Sequence, residues 1–218
     1  RALAKKPMMT TLYGKQKAWD VMIPILVEKL EGTDVMSEDF QEKLDDIFKE
    51  AMQTIAPNAM DAMAKIQALN HEEIGTYYWT LPDGAKVQYD VKVETPIHAQ
   101  RISKNGLNLE IEDIIREYKP NKFNAGMAPN VIHSVDAYIC REMKRRGMLT
   151  SVHDAYGHHY NFIDGMIKNF KDIMIEILRS DLLNDIMTEI ANGRKFTPIK
   201  KNTTLISFHI RKSNYALT

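Results

Sequence analysis

The sequence predicts an α+β fold, mainly helical, with short antiparallel hairpins packed by helices. Three observations carry that expectation. Apolar residues recur at helical spacing over 15–72 and again over 163–178. Between them, Thr76 to Val93 alternates apolar and polar residues around a Pro82-Asp83-Gly84 turn. Finally, Met148 to Tyr160 reads as strand, tight turn, strand, with an acidic residue, Asp154, at or near the tip.

Residues 1–14, RALAKKPMMTTLYG, form the first expected helix, stopping at Gly14. Arg1, Lys5, Met9 and Tyr13 recur every fourth residue, within roughly 120° of one face and over about 18 Å. Pro7 has no backbone N–H to donate, so the helix either starts near it or kinks there. Over 15–72, Val21, Met22, Ile25 and Leu26 make one stripe, with a bend expected at Pro24. Ser37 reads as an N-cap before Glu38 and Asp39, where negative charge suits a helix start. Leu44, Phe48, Met52 and Ile55 are its expected buried side. A third helix follows Pro57 with Met60, Met63, Ile66 and Leu69.

After the Thr76–Val93 hairpin, residues 94–124 read as a polar connector with one short helix around Ile111 to Tyr118. Pro129-Asn130 opens another helix, to about Arg146, which Gly147 ends. Ile163, Met166, Ile167, Phe170, Ile173, Met174, Ile177 and Leu178 predict an amphipathic helix covering one face of the Met148–Tyr160 hairpin. A short helix over 182–191 and a strand over Leu205 to Ile210 complete the expectation. Gly157, lacking a Cβ, is expected to allow the sharp turn. Asp154 has two readings from its residues alone. Asp favours turns by itself, and a carboxylate at a hairpin bend also suits a divalent cation.

With 218 residues, 44% hydrophobic and 27% charged, the chain can bury a sizeable core and is not of disordered or fibrous composition. Acidic and basic side chains balance at 29 each, so net charge advertises no polyanionic partner. The distribution is uneven: residues 28–50 are acidic, whereas Arg194, Lys195, Lys200, Lys201, Arg211 and Lys212 follow one another without an Asp or Glu between them. Cys140 is the single cysteine, which excludes an internal disulfide and a thiolate metal cluster and fits an intracellular setting. No apolar run approaches the length of a membrane span, and no secretion signal is expected.

Five stretches, in order, resemble the single-subunit RNA polymerases of bacteriophage and mitochondrial type. Arg1-x3-Lys5-x3-Met9-Thr10-x2-Tyr13-Gly14 resembles their nucleotide-binding fingers helix. Thr80 to Gly84 is similar to their T-P-D-G turn, and Ala128 to Asp136 to their A-P-N-F-V-H-S-x-D segment. Val152-His153-Asp154-Ala155-Tyr156-Gly157 resembles their palm motif, with Ala-Tyr where Ser-Phe is usual, and Ser213 to Thr218 is similar to their aromatic C-terminal tail. The resemblance implies an incomplete right-hand polymerase fold. Residues 1–130 would be fingers, with the nucleotide-binding helix at 1–14, and 131–218 the C-terminal half of the palm, with the catalytic hairpin at 148–160.

The same resemblance implies template-directed RNA synthesis from NTPs, with a DNA template and nascent RNA as partners and Mg2+ as cofactor. Arg1 and Lys5 would lie against the triphosphate as planar fork and compact charge. Tyr13 would act at the sugar, with Met9 beside it, and Gly14 would admit the template. Asn130, His133 and Ser134 would contact nucleic acid, His133 on the minor-groove side of the terminal base pair. His153 would flank Asp154, the implied magnesium ligand of a two-metal arrangement.

Met9-Thr10 leans toward RNA rather than the related DNA polymerases, which carry Phe-Gly there. The family's first catalytic aspartate lies upstream of the fingers helix. The chain is therefore expected to be inactive alone and to need an N-terminal remainder, covalent or separate. The alternatives are a family A-like DNA polymerase fragment, a non-catalytic nucleic-acid or partner-binding module, and a zinc site at His153, His158 and His159.

Overall fold

A computed structural model describes residues 7–8, 11, 38–91, 93–98, 102–104, 107–109, 112–117, 126–152, 155–201 and 203–213. The expected helices and bends between residues 12 and 37 lie outside these, as does the aromatic tail from Asn214. Pro7, Met8 and Thr11 have helical backbone, while the rest of the expected first helix lies outside the described residues.

Helix α1, Glu38–Ile55, begins at the acidic pair expected to favour its first turn. Met52 is buried, but Ile55, expected beside it, is 67% exposed in the last turn. Asp45 is buried and pairs with Lys49 at 2.6 Å. Helix α2, Pro57–Gln67, takes Pro57 in its first turn, where no intrahelical N–H is lost.

Strands β1, Thr76–Thr80, and β2, Lys86–Asp90, pair antiparallel with Trp79 opposite Val87. Tyr77 and Trp79 are buried while Tyr78 is exposed, the period-2 alternation the sequence shows. Gly84 makes the turn at φ +82°, the left-handed region that side chains resist.

The connector differs from expectation. Strand β3, Val93–His98, pairs antiparallel with β6, Glu112–Glu117, and between them β4, Ile102–Lys104, pairs with β5, Leu107–Leu109. The helix expected around Ile111 to Tyr118 is therefore a strand. Ile114 and Ile115 have branched side chains that suit extended backbone, and a partner some twenty residues away outweighs local helix propensity.

Helix α3, Met127–Arg145, starts two residues earlier than expected. Pro129 then occupies the third helical position, whose N–H has no intrahelical acceptor. Gly147, at φ +96°, closes the helix. Gly147 N–H bonds to Lys144 O and Met148 N–H to Met143 O, the paired bonds of a Schellman cap, and both methionines are buried.

The chain returns as β7, Thr150–Val152, and β8, Ala155–Gly157, which pair antiparallel. Gly157 does not make the turn: it sits in β8 opposite Thr150, where an added Cβ would lie 2.8 Å from Thr150 Cγ2. A 3-10 turn, Tyr160–Phe162, leads into α4, Ile163–Arg179. Helix α5, Leu182–Ala191, ends at Asn192 in the left-handed region. The expected strand at Leu205 to Ile210 is instead helix α6, Thr203–Lys212, packed on α4. A short apolar run does not fix its own period, and here the facing helix decides it.

Two apolar clusters result. The larger joins α2, the β1–β2 hairpin, α3 and α5 around Trp79, Val131 and Ile186. The smaller joins α3 to α4 through Ile139, Met143, Met166 and Ile173, with the Tyr156 ring of β8 tilted 45° against Phe170 at 5.9 Å between centroids. Val135 and Ile177 border both.

Candidate active-site hairpin and nucleic-acid interface

The β7–β8 ladder fixes where the candidate active-site carboxylate is carried. Thr150 pairs with Gly157, Ser151 with Tyr156, and Val152 with Ala155. That register leaves a dipeptide, His153-Asp154, between the last pair, the shortest common hairpin connection. His153 and Asp154 themselves lie outside the described residues, as do Arg1, Lys5, Met9, Tyr13 and Gly14. The hairpin is held from behind. Leu149 N–H donates to Gly157 O at 3.2 Å, and Cys140 Sγ lies 3.5 Å from Ser151 Oγ. Outward, Leu149, Val152, Tyr160 and Phe162 are all exposed.

At the start of α3 the three expected nucleic-acid residues separate into two groups. Asn130 and His133 are exposed. Asn130 Nδ2 donates to Gly126 O at 2.8 Å, and His133 Nδ1 lies 3.8 Å from Asp136 Oδ2. Ser134, by contrast, is only 8% exposed. Its hydroxyl accepts from Trp79 Nε1 at 3.0 Å and donates to Val131 O at 2.7 Å. A buried indole N–H needs an acceptor, so Ser134 fastens the β1–β2 hairpin to α3 beneath the exposed pair.

A second tie runs parallel to it. Arg141 Nε and Nη2 reach Asp83 Oδ2 and Oδ1 at 2.5 and 3.2 Å, a two-pronged grip on a side chain only 2% exposed. The Arg141 guanidinium holds the Asp83 carboxyl below its usual range against the opposing effect of burial, with Ala85 N–H adding to the lowering. Thus the turn at Thr80–Gly84 and the helix carrying Asn130 and His133, two of the five resembling stretches, are joined through Trp79, Ser134, Asp83 and Arg141. Sequence reasoning missed Trp79, Asp83 and Arg141 as a unit. The Asp-Gly turn marked Asp83, but nothing local paired it with a residue 58 positions away.

Of the histidines weighed as a zinc site, His158 and His159 have ring centroids 6.2 Å apart, and His158 Nδ1 accepts the His159 N–H at 2.8 Å. Among the described residues, no three His, Cys, Asp or Glu side chains converge on one point. No described helix is long and apolar enough to cross a membrane.

Compared with known families, residues 1–214 match a model described as DNA-dependent RNA polymerase. Among curated proteins, no relative matches. The match runs through all five stretches except the last four residues of the tail. The chain belongs to the single-subunit, phage- and mitochondrial-type DNA-dependent RNA polymerases, nucleotidyltransferases that copy a DNA template from NTPs.

Proposed function

We propose that this chain supplies the nucleotide-delivering helix and a metal-binding carboxylate for RNA synthesis on a DNA template. The observation that carries the proposal is the β7–β8 register, which pairs Val152 with Ala155 around Asp154. In the right-hand arrangement, 1–130 serve as fingers and 131–218 as the C-terminal half of the palm. The two share the apolar core around Trp79.

Arg1 and Lys5 bind the triphosphate, countering its charge as it is drawn toward the hairpin. Tyr13 takes the sugar, beside Met9, and Gly14 leaves room for the template base. Asp154, flanked by His153, would hold Mg2+ together with the first catalytic aspartate of the N-terminal remainder. When bound, the metal supplies positive charge that acidifies a hydroxyl nucleophile and offsets charge on the departing pyrophosphate. Asn130 and His133 meet the nucleic acid at the start of α3. Ser134 takes part by holding that helix at a fixed depth over the β1–β2 hairpin.

The test is made on the chain assembled with the N-terminal remainder, where Asp154→Asn keeps size and turn preference while removing the charge that holds a metal. Synthesis falls by about a thousandfold or more, the several kcal/mol expected of a lost metal contribution, while template binding persists. Unchanged synthesis would overturn the assignment of Asp154.

A further inference from the structure

The basic run noted in the sequence divides in the fold. Arg194 turns back to cap α5, donating from Nε to Ala191 O at 2.9 Å and from Nη2 to Ile190 O at 3.1 Å. Lys201 reaches Ser180 O and lies 3.5 Å from Asp181. Arg211, however, stands on α6 over a cleft of about 500 Å³ whose other wall is α4. That wall carries Asp164, Ile167, Lys168, Lys171 and Asp172. At 100° per residue these lie on the side of α4 opposite Met166, Phe170 and Ile173, which face α3.

Charge within the cleft is unevenly committed. Arg211 Nη2 is 3.8 Å from Asp172 Oδ1, too far for a hydrogen bond. Lys168 and Lys171 make no ion pair or hydrogen bond among the described residues, although Asp164 sits one turn before Lys168. Asp164 and Asp172 are eight residues apart, about 12 Å along the helix, too far to share a metal ion. Lys168 and Lys171, on adjacent turns, are close enough to meet one chain of anions. One turn before Arg211, Phe208 is exposed, with Lys212 Nζ 4.5 Å from its ring centroid. Two lysines without ion-pair or hydrogen-bond partners among the described residues, a loosely paired arginine across from them, and an exposed ring bearing a cation beside it make the pattern that follows an unpaired strand, phosphates on the cations and a base on the ring.

We infer that the cleft between α4 and α6 binds the phosphodiester backbone of a single nucleic-acid strand through Lys168, Lys171 and Arg211. This assignment rests on the nucleic-acid partners of the family, but it concerns strand binding, not nucleotide addition. Its test therefore fails or succeeds independently of the Asp154 experiment.

The test compares the full chain, a Lys168→Ser/Lys171→Ser variant, and a Lys195→Ser/Lys200→Ser variant that removes equal charge from exposed positions outside the cleft. Affinity for a fluorescent single-stranded oligonucleotide, as RNA and as DNA, is measured from 50 to 200 mM salt. Each phosphate contact to a single strand contributes about 0.7 to the log–log salt slope. The cleft variant should lose about 1.4 of slope, a relative change of about sevenfold across that range. The exterior variant should keep the slope of the unaltered chain, and affinity for a duplex of the same sequence should not move in either. Thermal melting confirms that each variant is folded. An unchanged slope in the cleft variant, an equal loss in the exterior variant, or an equal loss on duplex would each overturn the inference.

Discussion

Breaking the Asp83–Arg141 grip tests how firmly the Thr80–Gly84 turn is fastened to α3. The carboxylate is 2% exposed and the guanidinium 38%, so the two ends of the pair are not equivalent. Arg141→Gln strands a buried anion, which costs about 2–3 kcal/mol unless the carboxyl takes up a proton. Asp83→Asn leaves a cation that can turn to water, and about 1–2 kcal/mol is lost. The coupling in a double-mutant cycle should be about 1–2 kcal/mol, above the range of exposed ion pairs. For a chain of this size each kcal/mol moves Tm by about 2–4 °C.

The pH dependence has a definite sign. Because Arg141 holds the folded-state Asp83 carboxyl below the usual carboxylate range, the contribution is fully present above the unfolded pKa. It is lost as pH falls through the folded value. Urea unfolding of the four proteins of the cycle at pH 7 and toward pH 3 measures both quantities. A coupling below about 0.5 kcal/mol at pH 7, or one that does not shrink on acidification, would refute the reasoning.

Other expectations follow from the same geometry. Ser134→Ala should cost about 1–3 kcal/mol by leaving the buried Trp79 N–H without its acceptor. Trp79→Phe carries its own cavity cost, so the pair is read from a double-mutant cycle by chemical denaturation: the double variant should lose about 1 kcal/mol less than the sum of the two single losses. Additive losses would show that Trp79 is not the partner through which Ser134 acts. Gly157→Ala should destabilise the hairpin by about 0.5–1.5 kcal/mol, the scale of one side chain forced from its rotamer by a Cβ at 2.8 Å from Thr150 Cγ2. Thr150→Ser should relieve it, and thermal melting of the single and double variants would show whether it does.

Much of the architecture was legible where periodicity and punctuation coincide. Tyr77, Trp79 and the Pro82-Asp83-Gly84 turn marked one hairpin, and the stripe from Ile163 to Leu178 marked α4 almost to the residue. Elements set by distant partners were not legible. Glu112–Glu117 became a strand because Val93–His98 lies alongside, and Thr203–Lys212 became a helix against α4. The hairpin expected over 148–160 forms with its ladder at 150–157, while the turn assigned to Gly157 does not, since a glycine signals permission to turn without saying whether the chain uses it. Ser134 shows the limit for the site. Its motif pointed to nucleic acid, and its burial against an indole 55 residues upstream left no trace in the neighbouring sequence.

Helix α3 borders both apolar clusters, with Val131 in one, Met143 in the other and Val135 between. A rigid rod anchored at both ends cannot roll or slide without disturbing everything bolted to it. Asn130 and His133, near one end, and the β7–β8 hairpin, hung from the other by the Schellman cap, therefore share one frame of reference. Wear at either end, even far from any substrate, would misalign the other.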